Sequence, residues 1–332
     1  MQFLLACSAG SNGSIVARGR GLAYTRHVAV VEGLVPVFLL IVAGLASRQL
    51  GLLDERGAQG LNRIVANLAL PALLLIKVGT AELATSFSSR VVVATLVATV
   101  AATFGALLLA TVWRLPVRER GVFSQAAMRG NLAYVGFPVI LAMCGEEGFR
   151  QAAVTSAMLI PTMNLLAVAV LELSRPARAG FEAALLRVLA NPLVVAALAS
   201  LGLSALAWQP WRWLEATLEV LSEFALPGAL LALGAQLQLG RWRRLLAPTL
   251  AAAGIKLVLM PLAGLWIVRV VGGGALEQQV AVLLLATPTA VASYSVAAEL
   301  EGDTDLAGSC VLVTTAAAVV AFLGWSLVLF PA

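Results

Sequence analysis

The sequence predicts an all-α integral membrane protein: ten transmembrane helices in two inverted five-helix repeats, with the fourth and ninth helices broken. Three observations carry this. Of 332 residues, 61% are hydrophobic and 12% are charged. Soluble domains run at roughly 45–50% apolar and about 25% charged, so lipid has to solvate part of this chain. The apolar residues fall into ten runs, each long enough to cross as a helix of about 20 residues. The two halves of the chain also resemble one another.

The runs cover 34–51, 61–79, 91–113, 123–144, 152–173, 188–207, 214–239, 245–268, 278–298 and 306–330. Charged turns separate them, among them Asp54-Glu55-Arg56 and Arg118-Glu119-Arg120. Arginine then sets the orientation. The odd-numbered loops hold Arg48, Arg56, Arg63, Arg114, Arg118, Arg120, Arg175, Arg178, Arg187, Arg241, Arg243 and Arg244. The even-numbered loops hold Arg90, Arg150, Arg212 and Arg269. The positive-inside rule puts the odd loops in the cytoplasm and both termini outside. Arg18, Arg20 and Arg26 in the N-terminal tail are the exception. Trp208, Trp211 and Trp213 form an interfacial belt at the outer end.

The repeat is visible in short strings. Ala69-Leu70-Pro71-Ala72-Leu73-Leu74 in the second run matches Ala225-Leu226-Pro227-Gly228-Ala229-Leu230-Leu231 in the seventh. Gly136-Phe137-Pro138 in the fourth corresponds to Ala286-Thr287-Pro288-Thr289 in the ninth. Five spans followed by five similar ones enter from opposite sides, the inverted architecture of secondary transporters. The organisation is a polar extension, disordered or upstream of the true start (1–33), a first repeat (34–173), a short cytoplasmic loop (174–187) and a second repeat (188–330). Pro and Gly within the fourth and ninth runs, at Pro138 and Pro288, are expected to break their helices, and broken backbone at membrane depth is tolerated only inside protein or along a cavity. Half-helix N-termini carry positive partial charge and free N–H groups, so two of them near the midplane suit an anion.

Several classes are excluded. Cys7, Cys144 and Cys310 have neither metal-ligand nor disulfide-framework spacing. The one histidine, His27, lies outside the runs, so no catalytic triad, metal site or cofactor is expected within the membrane. The net charge of +5 sits in juxtamembrane clusters, which argues against nucleic acid. Asp54, Asp303 and Asp305 all lie in turns, whereas cation antiporters carry membrane-buried aspartates. Twenty arginines against two lysines suggest a high-GC bacterial genome and hence a bacterial inner membrane.

Arg129-Gly130-Asn131-Leu132-Ala133-Tyr134-Val135-Gly136-Phe137-Pro138 is similar to the fourth-helix motif of the auxin efflux carrier family. Leu70-Pro71-Ala72-Leu73, Asn191-Pro192-Leu193, Lys256 with Met260-Pro261-Leu262, Pro288-Thr289-Ala290, Ala298-Glu299 and Asp305-Leu306-Ala307 extend the resemblance over about 34–330. It implies a fold related to the bile acid/sodium symporters. Helices one, two, six and seven would form a scaffold, able to support a homodimer. The other six would form a moving transport domain, in which helices four and nine cross at the substrate site. It also implies transport of a small carboxylate, auxin- or malonate-like, by an elevator movement. The alternatives are a transporter-like sensor and an ion-coupled symporter of sterol anions. Leu132, Tyr134 and Ser293 depart from the plant pattern, so substrate identity does not carry over.

Asn131, Gly136, Pro138, Thr287, Pro288, Thr289 and Ser293 are the expected substrate-binding positions. Asn131 either binds a carboxylate or caps a half-helix. The hydroxyls of Thr287, Thr289 and Ser293 either face substrate or satisfy their own backbone. Lys256, deep in the eighth run, either acts on charge or coupling or pairs with carbonyls at the break. Arg129 reads as an anchor or gate that snorkels to the cytoplasmic side. Lys77 and Glu223 fall within about 3 Å in height at a rise of 1.5 Å per residue, so a scaffold ion pair is expected. Asn191 reads as the cap of the sixth run, with Pro192 at its first position.

Overall fold

A computed structural model describes residues 35–80, 87–174, 192–237 and 245–330. The 1–33 extension, Asn191, arginines 175, 178, 187, 241, 243 and 244, and all but the first residue of the 174–187 loop lie outside the described residues.

The regular elements among these residues are helices. α1 is Val35–Gln49 and α2 is Glu55–Lys77. α3 is Ser89–Val112, α4 is Val117–Met128 and α5 is Leu132–Leu173. α6 is Pro192–Ala205, α7 is Arg212–Gln236 and α8 is Leu246–Val270. α9 is Ala275–Leu285, α10 is Ala292–Glu299 and α11 is Thr304–Leu329. Six of them, α2, α3, α5, α7, α8 and α11, are long and apolar enough to cross a membrane. The expected fourth run divides between α4 and α5, and the ninth between α9 and α10. The expected turn between the fourth and fifth runs is a kink inside α5 at Gly145, φ 68° and ψ −167°, a conformation essentially restricted to glycine.

Short polar side chains start the long helices. Asp54 accepts a hydrogen bond from the Gly57 N–H at 2.6 Å, Ser88 from Val91 at 3.3 Å and Asp303 from Leu306 at 2.8 Å. Each satisfies an N–H that the first turn leaves unpaired. α3 shows why hydrophobic periodicity is weak here. Val93, Val97, Val100, Phe104 and Leu108 are exposed on one face, while Ala94, Ala98, Ala106 and Ala110 are buried on the other. Both faces are apolar because one meets lipid and the other meets protein. Buried Thr95, Thr99 and Thr103 each donate to the carbonyl four residues back, at 2.7–2.8 Å, which satisfies their hydroxyls without water.

Three π-helical turns, Val65–Ala69, Leu132–Gly136 and Ile255–Leu259, recur at one sequence signature. Each ends two residues before a proline: Pro71, Pro138 and Pro261. The residue between donates to the carbonyl five back: Leu70 to Val65, Phe137 to Leu132 and Met260 to Ile255. Proline has no N–H, and its ring crowds the carbonyl four residues earlier. A widened turn accommodates both effects and lets the helix continue. This corrects the expectation that Pro138 breaks the fourth helix. The break lies earlier, at Arg129–Asn131, and Pro138 sits in the regular helix beyond it. Pro288, by contrast, does lie within the break between α9 and α10.

The helices form two packed groups. α2 packs on α6 and α7, while α3, α4, α8, α9 and α11 pack on one another, and α5 touches both groups. α1 lies directly against α7, where Gly44 and Gly234 face the partner backbone. A Cβ on Gly44 would fall 2.2 Å from the Leu231 carbonyl oxygen, and one on Gly234 would fall 1.9 Å from that of Ile41. Small residues allow such approach where no hydrophobic driving force separates helix from lipid. Gly234→Ala is therefore expected to force α1 from α7, costing about 1–3 kcal/mol and lowering the melting temperature in detergent. Gly324→Ala, with nothing within 4 Å of the added carbon, is the control and should leave it unchanged. Equal melting temperatures for both variants would refute the contact.

Candidate functional site at the helix crossing

The two helix breaks meet. α4 ends at Arg129, which turns to extended backbone, and Asn131 leads into α5. This short segment runs antiparallel to 288–290, with Gly130 bridged to Thr289. The Asn131 N–H donates to the Pro288 carbonyl at 2.8 Å, and the Ala290 N–H donates to the Arg129 carbonyl at 3.0 Å. Backbone groups at membrane depth have no water to bind, and here each break supplies the other's partners. The approach depends on Gly130. A Cβ there would sit 2.3 Å from Thr287 Oγ1 and 3.2 Å from Lys256 Nζ. Gly136 leaves similar room, since its Cβ would lie 2.9 Å from Thr287 Cγ2.

Of the three hydroxyls weighed between substrate and backbone, those of Thr287 and Thr289 bond backbone carbonyls at the crossing, while that of Ser293 is buried with no hydrogen-bond partner among the described residues. Thr289 donates to the Ala126 carbonyl at 2.8 Å, and its N–H donates to Thr314 Oγ1 at 3.0 Å. Thr287 donates to the Leu284 carbonyl at 2.7 Å. The Gln125 amide donates to the Ser293 carbonyl at 3.0 Å, linking α4 to α10. Thr287, Thr289 and Ser293 are fully buried, and Pro138 and Pro288 are buried too. None of these five lines the adjoining cavity.

That cavity, about 260 Å³, lies between the crossing and the α2, α6 and α7 group. Arg129, Asn131, Tyr134 and Asn164 line one side, and Asn62 of α2 and Gln236 of α7 line the other. The Asn131 side chain makes no capping hydrogen bond, so the capping role weighed for it is not the one it plays. Arg129 is 8% exposed, which corrects the expectation of a snorkelling anchor. One terminal guanidinium nitrogen, Nη2, donates to Asn164 Oδ1 at 2.5 Å. The other, Nη1, is buried with no hydrogen-bond partner among the described residues. Tyr134 donates to Asn62 Oδ1 at 2.7 Å, tying the crossing to α2. Asn62, Tyr134 and Asn164 were not singled out from sequence as cavity residues. Asn164 carried a signal all the same, as an amide in the interior of an apolar run.

Lys256 is completely buried, and its ammonium donates to the Leu285 carbonyl at 2.5 Å, at the C-terminal end of α9. Of the readings open to it, carbonyl pairing at the break is the contact observed. Both half-helices that end at the crossing therefore carry a basic residue at their C-terminal ends: Arg129 on α4 and Lys256 at α9. Cations are favoured at such ends. Lys77 lies 3.2 Å from Glu146, which replaces the expected pair with Glu223. The kink at Gly145 brings Glu146 to the end of α2, whereas Glu223 is exposed. The Lys77 and Glu146 side chains are 37% and 52% exposed, so this bridge contributes about 0–1 kcal/mol.

A second cavity of about 350 Å³ shares Asn62, Gln236, Val291 and Ser295 with the first. It is lined farther out by Arg48, Glu55 and Arg63, at the turn between α1 and α2. The site thus adjoins a basic vestibule at that end, and the Lys77–Glu146 bridge lies at the other end of α2.

Comparison with known proteins points to membrane transport. Residues 29–184 and 172–326 match the model of the family described as membrane transport protein. A Methanothermobacter thermautotrophicus protein named "Uncharacterized transporter" is 29% identical over 90% of this chain and 98% of its own length. A Rhizobium meliloti protein named "Putative malonate transporter" is 28% identical over 90% of this chain and 95% of its own. A Methanocaldococcus jannaschii transporter is 29% identical over 35% of this chain and 39% of its own. These relatives are named as transporters and not as enzymes. The chain belongs to the membrane transport protein family, the auxin efflux carrier type that its Arg129–Pro138 motif resembles.

Proposed function

We propose that the protein is a secondary active transporter of a small organic anion, a mono- or dicarboxylate, bound at the cavity beside the crossing. The observation that carries this reading is the unpaired Nη1 of Arg129, buried in the cavity wall. A buried charge with no counter-ion and one donor unused is costly, and a carboxylate would offset that cost while accepting from Asn131. The α5 N-terminus adds positive partial charge at the same place. A volume of about 260 Å³ falls below the range of about 300–1,000 Å³ for drug-sized ligands. That favours an acid of a few carbons over a sterol anion. The relative named for malonate points to the same class.

The ten runs, in two inverted repeats, would then work by alternating access. The group containing α3, α4 and α8–α11 would move with α5 against α1, α2, α6 and α7, carrying the crossing with it. The vestibule faces the arginine-rich end, so in a bacterial inner membrane this conformer is inward-facing, with both termini periplasmic. A reporter active only in the cytoplasm should be silent when fused after Ala332 and active when inserted near Arg178. The reverse pattern would overturn the orientation.

The direct test is uptake and binding in proteoliposomes with a panel of short carboxylic acids that includes malonate. Asn131→Ala removes a hydrogen bond to a charged group, worth about 1.5–3 kcal/mol. Affinity should therefore fall at least about tenfold with little change in melting temperature. Arg129→Gln should reduce affinity further. Normal binding and uptake by both variants would sink the assignment of this cavity.

A further inference from the structure

Arginine is rarely buried unless an opposite charge accompanies it. Arg129 is 8% exposed and belongs to none of the ion pairs among the described residues. Its partner is an amide instead. Nη2 donates to Asn164 Oδ1 at 2.5 Å, and Asn164 is itself 8% exposed, on the part of α5 beyond the Gly145 kink. A guanidinium donates and never accepts, so the amide must turn its oxygen to Arg129. At the backbone, the Arg129 carbonyl accepts from the Ala290 N–H at 3.0 Å. Both ends of the residue are thus held, with Nη1 left unpartnered among the described residues. Arg129 is also the only charged group among the described residues lining the cavity, and Tyr134 is the only other titratable one. Aspartate at position 164 would have the same size and the same acceptor, but its charge would cancel that of Arg129.

We infer that Asn164 is a positioning residue for anion binding, which holds the Arg129 guanidinium in the cavity wall without neutralising it. A neutral oxygen fixes one nitrogen, so the positive charge and the second nitrogen stay available to a carboxylate. The preference of the cavity for anions therefore depends on residue 164 being uncharged. Asn164 acts through Arg129 and need not touch the substrate. The inference rests on the carboxylate reading of this cavity.

The experiment measures malonate affinity by titration calorimetry, and melting temperature without malonate, on the purified full chain. It compares the wild type with Asn164→Asp, Asn164→Ala and Arg129→Gln. Asn164→Asp should lose at least about a hundredfold in affinity, because a negative charge then faces the arriving carboxylate. It should melt at or above the wild-type temperature. Asn164→Ala should behave in the opposite way. Its Nη2 loses a partner, so the melting temperature falls, but the charge remains and affinity drops by less than about tenfold. Wild-type affinity in Asn164→Asp, with weak binding by Arg129→Gln, would overturn the inference and leave the proposed function standing. Wild-type affinity in both would sink the assignment of the cavity, and the inference with it. Equal losses of affinity in the Ala and Asp variants would point to direct contact with malonate and overturn the inference as well. So would failure of Asn164→Asp to fold, since its carboxylate supplies Arg129 with a counter-ion. If Asn164→Ala does not accumulate, the Asp variant decides alone.

Discussion

Two backbone hydrogen bonds, Asn131 N–H to Pro288 and Ala290 N–H to Arg129, hold the centre of this structure. A helix that breaks at membrane depth exposes donors and acceptors that hydrocarbon cannot satisfy. Two helices that break against each other solve the problem jointly, provided their backbones come close enough. Gly130 and Gly136 allow that approach, and Thr289 and Thr314 complete the hydrogen bonding around it. Arg129 and Asn131 flank Gly130 within one of the paired segments, so the same pairing that closes the backbone sets their side chains in the cavity wall.

Much of this was legible in the sequence, and the exceptions have physical causes. Apolar runs and the charged turns between them gave the helices because desolvation of charge fixes where the chain can turn. The R-G-N string marked the crossing. Pro138 was misleading as a break because a proline in a helix can be absorbed by a π-helical turn, as Pro71 and Pro261 also are. Helical rise put Lys77 level with Glu223, but height along a helix says nothing about azimuth. The Gly145 kink, which delivers Glu146 to Lys77, has no counterpart in a periodicity argument. Arg129 reads from sequence as able to reach water because it lies nearer the cytoplasmic end of its run. Its burial follows from where α4 ends, which only the crossing determines. Asn62, Tyr134 and Asn164 come from separate runs and converge by packing alone.

The charge arrangement follows from the same geometry. α4 and α9 present their carbonyl ends to the crossing, and α5 and α10 present their N–H ends. Arg129 and Lys256 stand at the two carbonyl ends, yet only Arg129 reaches the cavity. One basic residue is thus left with an unused donor beside the substrate-sized space, and the other is sealed behind the breaks. That division, with no carboxylate among the lining residues, is what suits the site to the proposed anion.

The central claim is that the two breaks are paired backbone and not free loops. Hydrogen–deuterium exchange with mass-spectrometric readout, on peptides spanning 129–131 and 288–290 without substrate, tests it most directly. The amides of Asn131 and Ala290 should exchange as slowly as those of α4 and α9 on either side. Exchange of both at loop-like rates, while the flanking helices stay protected, would contradict the account.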